Sequence, residues 1–279
     1  MTGTIALDID GTITDRDHLI PDEVAHYFET LHKEGWRFIF VTGRPLSFTM
    51  MTLPKLCFPY FLGVQNGSAL FEMPEKKEVE RYYLSLEMVH ILDTLHKNVE
   101  GDFLVYSGYE KGDTCYFRPD HFSDEMRTYL KKVEKVSDAP WIPLKNFDIK
   151  EQHTFPLIKC LGPKEEMESF DQKLQKLEGI KTTLIKDPFS ESLYLILITH
   201  SEADKGIAIQ KIIKKFPLPA PLITGGNDNN DIPLLQYGDQ RIAIKGAPEA
   251  LIKLATVIAP PSEECGIIEG LKKAMENLS

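Results

Sequence analysis

Short apolar runs of the buried-strand type recur at both ends of this chain, and most are followed by an amphipathic helical pattern. That alternation constrains the fold more than any other feature. "TIALDI" (4–9) is the first such run. Pro21 and Asp22 then open a helix in which Val24, Tyr27, Phe28 and Leu31 stand at i, i+3, i+4 and i+7, and Gly35 is its stop. "RFIFVTG" and "YFLGVQNG" read as the next strands. Toward the C-terminus, "KGIAIQKIIKKF" (205–216) reads as a helix, "PLIT" as a strand, "IPLLQYG" as a short helix and "RIAI" as a strand. "APEALIKLA" reads as another helix, "TVIAP" as another strand and "CGIIEGLKKAMENL" as a closing helix. Strands that alternate with helices build a parallel sheet with right-handed crossovers.

The middle is patterned differently. Helical periodicity appears at 86–98, 123–135 and 164–178, and in the third Met167, Phe170, Leu174 and Leu177 form one apolar stripe of the core type. Between the helices lie neighbouring strand pairs, "DFLVYSG" with "DTCYFRP" and "IKTTLIKD" with "SLYLILITH", which predict an antiparallel sheet. The expected fold class is α/β: a Rossmann-like parallel-sheet core over 1–82 and 196–279, interrupted by an α+β insert at 83–195. No internal repeat or low-complexity tract is visible.

Composition excludes some functions. The chain has 279 residues and a net charge of −10, with no basic block, so nucleic acid is a poor partner. Its longest apolar run, "LYLILI", is far short of the roughly 20 residues of a membrane span. The chain enters "TIALDIDGT" with no basic region or cleavage pattern before it, so the expected compartment is the cytoplasm. Cys57, Cys115, Cys160 and Cys265 are far apart and form no metal-ligand spacing. The oligomeric state is not legible.

Open parallel sheets bind ligands beyond the carboxyl ends of their strands. Asp8, Asp10, Gly11 and Thr12 stand there after the first strand, Thr42, Gly43 and Arg44 after the second, and Asn66 and Gly67 after the third. Asn227, Asp228, Asn229, Asn230 and Asp231 follow a C-terminal strand, and Lys205 opens a helix. A cation at a helix start works against the dipole, which favours a functional reading of Lys205. Several carboxylates near one point favour a hard cation such as Mg²⁺, which takes one or two of them with water and phosphate. A hydroxyl, an ammonium and backbone N–H groups suit phosphate, and a carboxylate is a competent nucleophile toward phosphorus. His153 and His200 have no visible partners and read as surface or core residues. Arg118 and His121, in "YFRPDHF", read as loop residues that could face an acidic substrate.

"DIDGT" after an apolar strand, "VTGR" some thirty residues on, "QNG", the lysine of "ADKG" and the run ending "NDIPLL" resemble the haloacid dehalogenase superfamily of phosphatases. The large insert between "VTGR" and the lysine resembles the type IIB cap of the Cof-like sugar phosphatases. The resemblance implies Asp8 as nucleophile and Asp10 as acid and base. It implies Thr42, Gly43, Arg44, Asn66, Lys205 and Asn230 around phosphate or substrate, with Arg44 either reaching substrate or bracing its loop. It implies a Mg²⁺ site drawn from Asp8, Asp10, Asn227, Asp228 and Asp231, and a small phosphorylated metabolite, such as a sugar phosphate, as substrate.

The family pattern at the last motif is Gly-Asp-x-x-Asn-Asp. Registered on Asn230 and Asp231, it puts Asn227 where a metal-binding carboxylate normally stands, with Asp228 one place later. Either Asn227 faces the metal through its amide oxygen, or Gly225 permits a one-residue shift that brings Asp228 in. Rival readings are a phosphomutase, a specialised glycosyl-phosphate phosphatase, or a catalytically weakened protein that binds a phosphometabolite.

Overall fold

The computed structural model describes residues 2–97, 99–136, 139–149, 154–187 and 189–278; His153 lies outside them. The chain forms two compact units, one of residues 1–44, 49–81 and 204–279, the other of residues 45–48 and 82–203.

The first unit begins with β1 (Thr4–Asp8), α1 (Asp22–Lys33), β2 (Arg37–Val41), α2 (Leu46–Thr52, split between the units), β3 (Tyr60–Val64), β4 (Ala69–Met73) and β5 (Lys77–Arg81). The second unit then runs β6 (Leu84–Ser85), α3 (Leu86–His96), β7 (Phe103–Tyr106), β8 (Cys115–Phe117), α4 (Asp124–Val136), β9 (Trp141–Pro143), β10 (Thr154–Phe155), β11 (Leu157–Pro163), α5 (Lys164–Leu174), β12 (Ile180–Lys186) and β13 (Leu193–His200). The chain returns to the first unit with α6 (Lys205–Lys215), β14 (Leu222–Gly226), α7 (Ile232–Leu235), β15 (Gln240–Ile244), α8 (Glu249–Leu254), β16 (Val257–Ala259) and α9 (Gly266–Glu276).

The first unit is built on a sheet of order β16-β15-β14-β1-β2-β3-β4-β5. The six strands from β16 to β3 are parallel, as the alternation predicts. Strands β4 and β5 add an antiparallel edge that the patterning did not separate. The reason is that "KEVER" is a polar, half-exposed edge strand rather than an apolar run. Strand β2 shows why the central strands read as continuous hydrophobic sequence: both of its faces are covered. Phe38 and Phe40 cluster with Phe28 of α1 at ring separations of 5.1 and 5.8 Å, while Ile39 and Val41 pack with Ala208, Ile209 and Ile212 of α6. The same period of two operates in β1, where Ala6 packs toward α6. Asp8 follows Ala6 on that face, which directs its carboxylate toward the start of α6.

The second unit has a six-stranded sheet of order β12-β13-β11-β7-β8-β9 and a small β10-β6 pair. All of its ladders are antiparallel except β8 with β9. One face buries Phe103, Val105, Ile158 and Ile196 against Met167, Phe170 and Leu174 of α5. The other buries Leu104, Leu157 and Leu197 with Leu130 of α4. A division between residues 195 and 196 would cut β13, whose ladder with β12 runs through His200; the second unit instead ends at Ala203.

Arg118 is the loop residue between β8 and the 3₁₀ turn Pro119–His121, but it is not open to a substrate. It is 6% exposed and donates to Asp102 at 2.7 and 2.6 Å. It also pairs with Asp93 at 2.6 Å and stacks 4.4 Å over the ring of Phe147. His121 is half exposed and stands 4.0 Å from Asp102. His200 accepts a bond from the Glu202 N–H. Because Asp102 is buried, Arg118→Met leaves a carboxylate without its cation. Chemical denaturation should show a loss of about 3–5 kcal/mol. A variant of unchanged stability with a raised KM would instead make Arg118 a substrate contact.

Candidate active site

The site sits at the carboxyl edge of the parallel sheet, entirely within the first unit. Beyond β1 the chain turns through Ile9, whose carbonyl accepts from the N–H groups of Thr12 and Ile13 and from the Thr14 hydroxyl. Gly11 takes φ +68°, and a Cβ there would lie 2.4 Å from the Asn227 Nδ2. The left-handed φ favours glycine there.

Asp8, 3% exposed, accepts from the Lys205 Nζ at 2.6 Å through Oδ1 and from the Thr12 hydroxyl at 3.0 Å through Oδ2. The Lys205 Nζ donates equally, at 2.6 Å, to Asp231. Lys205 is the first residue of α6, whose cap is the Asp204 carboxylate, accepting from the N–H groups of Gly206 and Ile207. Burial alone would push the Lys205 ammonium toward neutrality; Asp231 and Asp8 outweigh it and raise its pKa. The second oxygen of Asp231 accepts from the N–H groups of Asn227 and Asp228 at 2.9 and 3.0 Å. Both Asp231 oxygens are thus engaged, which suits it to fixing the loop and the lysine.

Asp10 is held from another side. The Arg44 Nε donates to it at 2.7 Å and the Arg44 Nη2 makes a second, close contact. The Thr42 hydroxyl donates at 3.3 Å. Arg44 therefore braces Asp10, while the Asp10 side chain stays 38% exposed. The carbonyl oxygen of Asp10 receives no hydrogen bond among the described residues.

Asn227 and Asp228 diverge. The Asn227 Oδ1 lies 3.4 Å from the Thr12 hydroxyl, facing the Asp8 turn. Asp228 caps the short 3₁₀ turn Asn229–Asp231 and accepts from the Asn229 N–H at 2.7 Å. A Cβ on Gly226 would sit 2.5 Å from the Asp231 Cβ, and one on Gly225 would sit 2.7 Å from Leu7; what these glycines permit is close approach. Asn230 lies in the 3₁₀ turn, and among the described residues its side chain bonds to none of the cluster. Asn66, 6% exposed, packs its carboxamide against Gly43.

Thr12, which the sequence already places at this edge, links Asp8 to Asn227. Residue-by-residue reading missed two contributors. Asp204 caps α6 and stands beside Lys205 in "ADKG". His18 comes to 3.6 Å from the Asp10 Oδ1. It is placed by a turn in which Asp15 accepts from the N–H groups of Asp17 and Leu19, and no periodicity marks that.

A sequence profile of the haloacid dehalogenase-like hydrolases matches residues 5–271. The chain belongs to that family. The 5-amino-6-(5-phospho-D-ribitylamino)uracil phosphatase YitU of Bacillus subtilis (strain 168) is 23% identical over 280 residues, spanning 96% of both chains. A haloacid dehalogenase-like hydrolase from Bacteroides thetaiotaomicron superposes with a TM-score of 0.78 at 18% identity, over 98% of this chain and 99% of that one. The subclass IIB sugar phosphatase BT4131 superposes with a TM-score of 0.75 at 18% identity, over 97% and 98%. The hydrolase thus shares the subclass IIB fold. Among the described residues no helix is long and apolar enough to cross a membrane.

Burial beside Asp231 and Asp10 pushes the Asp8 carboxyl up to about 7, against the pull of Lys205. Between the ordinary carboxylate range and that value, the folded chain holds a proton that the unfolded chain releases. Metal-free stability therefore falls as pH rises through the interval. Thermal melts without divalent metal should show this decline, and it should be smaller in Asp8→Asn. An equal slope in the variant would contradict the assignment.

Proposed function

We propose that this hydrolase is a Mg²⁺-dependent phosphatase that removes the phosphoryl group of a small metabolite, a sugar phosphate by preference, through an aspartyl phosphate on Asp8. The observation that carries the reading is the unequal treatment of two carboxylates on one turn. Asp8 is buried on an ammonium; Asp10 is clamped by a guanidinium at the rim with its side chain still open. Carboxylates in such different surroundings suit different roles.

Asp8 attacks phosphorus. As that P–O bond forms, the bond to the substrate oxygen breaks, and Asp10 donates a proton to the departing alkoxide. Water then attacks the acyl phosphate, Asp10 takes its proton, and inorganic phosphate leaves with Asp8 restored. Lys205 and Thr42 would supply donors to the charge on the transferring group. Deeply buried Asp8 and a rim-placed Asp10 fit this order, since only the second must meet a leaving group of varied shape.

The donors also fit a divalent cation. In this cluster the carboxylates of Asp8, Asp10 and Asp231 outnumber the cations Lys205 and Arg44, and a phosphate would add negative charge. Among the described residues no group of three or more His, Cys, Asp or Glu side chains is arranged around a metal position. Mg²⁺ is held by one or two carboxylates together with neutral oxygens, water and phosphate. Asp8, the unbonded Asp10 carbonyl and the Asn227 Oδ1 would hold it, while Asp228 and Asp231 are engaged in the loop itself. Bound there, the ion supplies positive charge to the phosphoryl oxygens. The names of YitU and BT4131, one a phosphatase of a phosphoribitylamino-uracil and the other a sugar phosphatase, support the substrate class.

Hydrolysis of an aryl phosphate should require Mg²⁺, and Asp8→Asn should lower kcat by about four orders of magnitude or more while leaving the fold intact. Near-normal turnover in that variant would remove Asp8 as nucleophile. Asn227→Asp should lower the Mg²⁺ concentration for half-maximal rate, whereas Asp228→Asn, which keeps an acceptor oxygen at the cap, should cost little stability and little activity. The reverse pattern would make Asp228 the ligand.

A further inference from the structure

Residues Gln65, Asn66 and Gly67 take φ values of 49°, 59° and 91° in succession. Three left-handed residues in a row, two of them not glycine, are costly in backbone strain. They are also buried, with Gln65 1% and Asn66 6% exposed. Among the described residues the Gln65 Nε2 and the Asn66 Oδ1 are buried with no hydrogen-bond partner. Those two polar atoms therefore do not hold the segment in place.

Its backbone does make bonds. The Gln65 N–H donates to the Arg44 carbonyl and the Asn66 N–H to the Thr42 carbonyl, each at 2.8 Å. Thr42 and Arg44 are the residues whose side chains hold Asp10. On its other side, Gly67 lies against the first turn of α6: a Cβ there would sit 2.9 Å from Ala208 and 3.0 Å from the Asp204 carbonyl oxygen. The next residue of that turn is Lys205, which holds Asp8. One strained segment thus touches the support of both carboxylates.

We propose that Gln65–Gly67 is a positioning clip. Its left-handed backbone locks the Thr42–Arg44 segment against α6 and so fixes the Asp10 carboxylate relative to Asp8. This rests on the reading of Asp10 as the acid given above. On this account Asn66 acts through its backbone, not by touching phosphate with its carboxamide.

The test compares Asn66→Gly and Asn66→Ala, with Asp10→Asn as control and thermal melts to confirm folding. Glycine enters the left-handed region readily and alanine does not. Para-nitrophenolate leaves without a proton, whereas an alkoxide needs one, so kcat/KM toward the two kinds of phosphate isolates the acid. Asn66→Gly should retain kcat/KM toward an alkyl phosphate within about threefold. Asn66→Ala should lose about tenfold or more toward the alkyl phosphate and much less toward para-nitrophenyl phosphate. Asp10→Asn should show the same selectivity more strongly. If Asp10→Asn lacks it, the reading of Asp10 fails. If Asp10→Asn has it, two results would overturn the clip: a loss in Asn66→Gly as large as in Asn66→Ala, or an Asn66→Ala effect equal on both substrates.

Discussion

The ammonium of Lys205, shared between Asp8 and Asp231 at 2.6 Å each, is the interaction on which the site depends. It is an improbable place for a cation, at the first turn of a helix and 3% exposed. The helix dipole and desolvation both oppose it. Two carboxylates offset that opposition, and each has its own anchor. Asp8 ends a buried strand whose alternation aims it at α6. Asp231 is pinned by two backbone N–H groups of its own loop. Close glycine packing permits the approach: a Cβ on Gly226 would overlap Asp231, and one on Gly206 would lie 2.4 Å from the Pro233 carbonyl. Removing either carboxylate would strip the buried lysine of half its compensation.

Two arginines show how the same chemistry serves structure in one unit and a candidate site in the other. Arg44 and Arg118 are both buried, and each grips an aspartate with two nitrogens. The difference lies in the partner. The Asp102 side chain is 1% exposed, so its pair with Arg118 closes on itself. The Asp10 side chain keeps 38% of its surface open, so its pair with Arg44 orients a group that can still meet another molecule. Sequence context does not separate the two cases, because exposure of the partner is a property of the folded surface.

The parallel sheet was legible because its strands are buried on both faces and its helices carry a one-sided stripe, which are local signals. Strands β4 and β5 were not, since an exposed edge strand such as "KEVER" alternates too weakly to register. The gathering of Asp8, Asp10, Thr42, Lys205 and Asp231 at one edge was legible because strand ends of a parallel sheet converge. The division of roles within the last loop was not. Asn227 and Asp228 are chemically similar neighbours, and only the cap geometry of Asp228 and the approach of Asn227 to Thr12 tell them apart. His18 and the left-handed pair Gln65–Asn66 were likewise invisible, because backbone conformation at isolated loop residues leaves no periodic trace.

The central claim is that Asp8 carries the phosphoryl group. The most direct measurement is rapid acid quenching during turnover of an alkyl phosphate in the presence of Mg²⁺, followed by proteolysis and mass analysis of the peptide that contains Asp8 and Asp10. The account predicts one phosphoryl group on Asp8, formed at a rate that keeps pace with turnover and lost on treatment with hydroxylamine. Turnover with no covalent phosphoryl group, or with the group on any other residue, would contradict it.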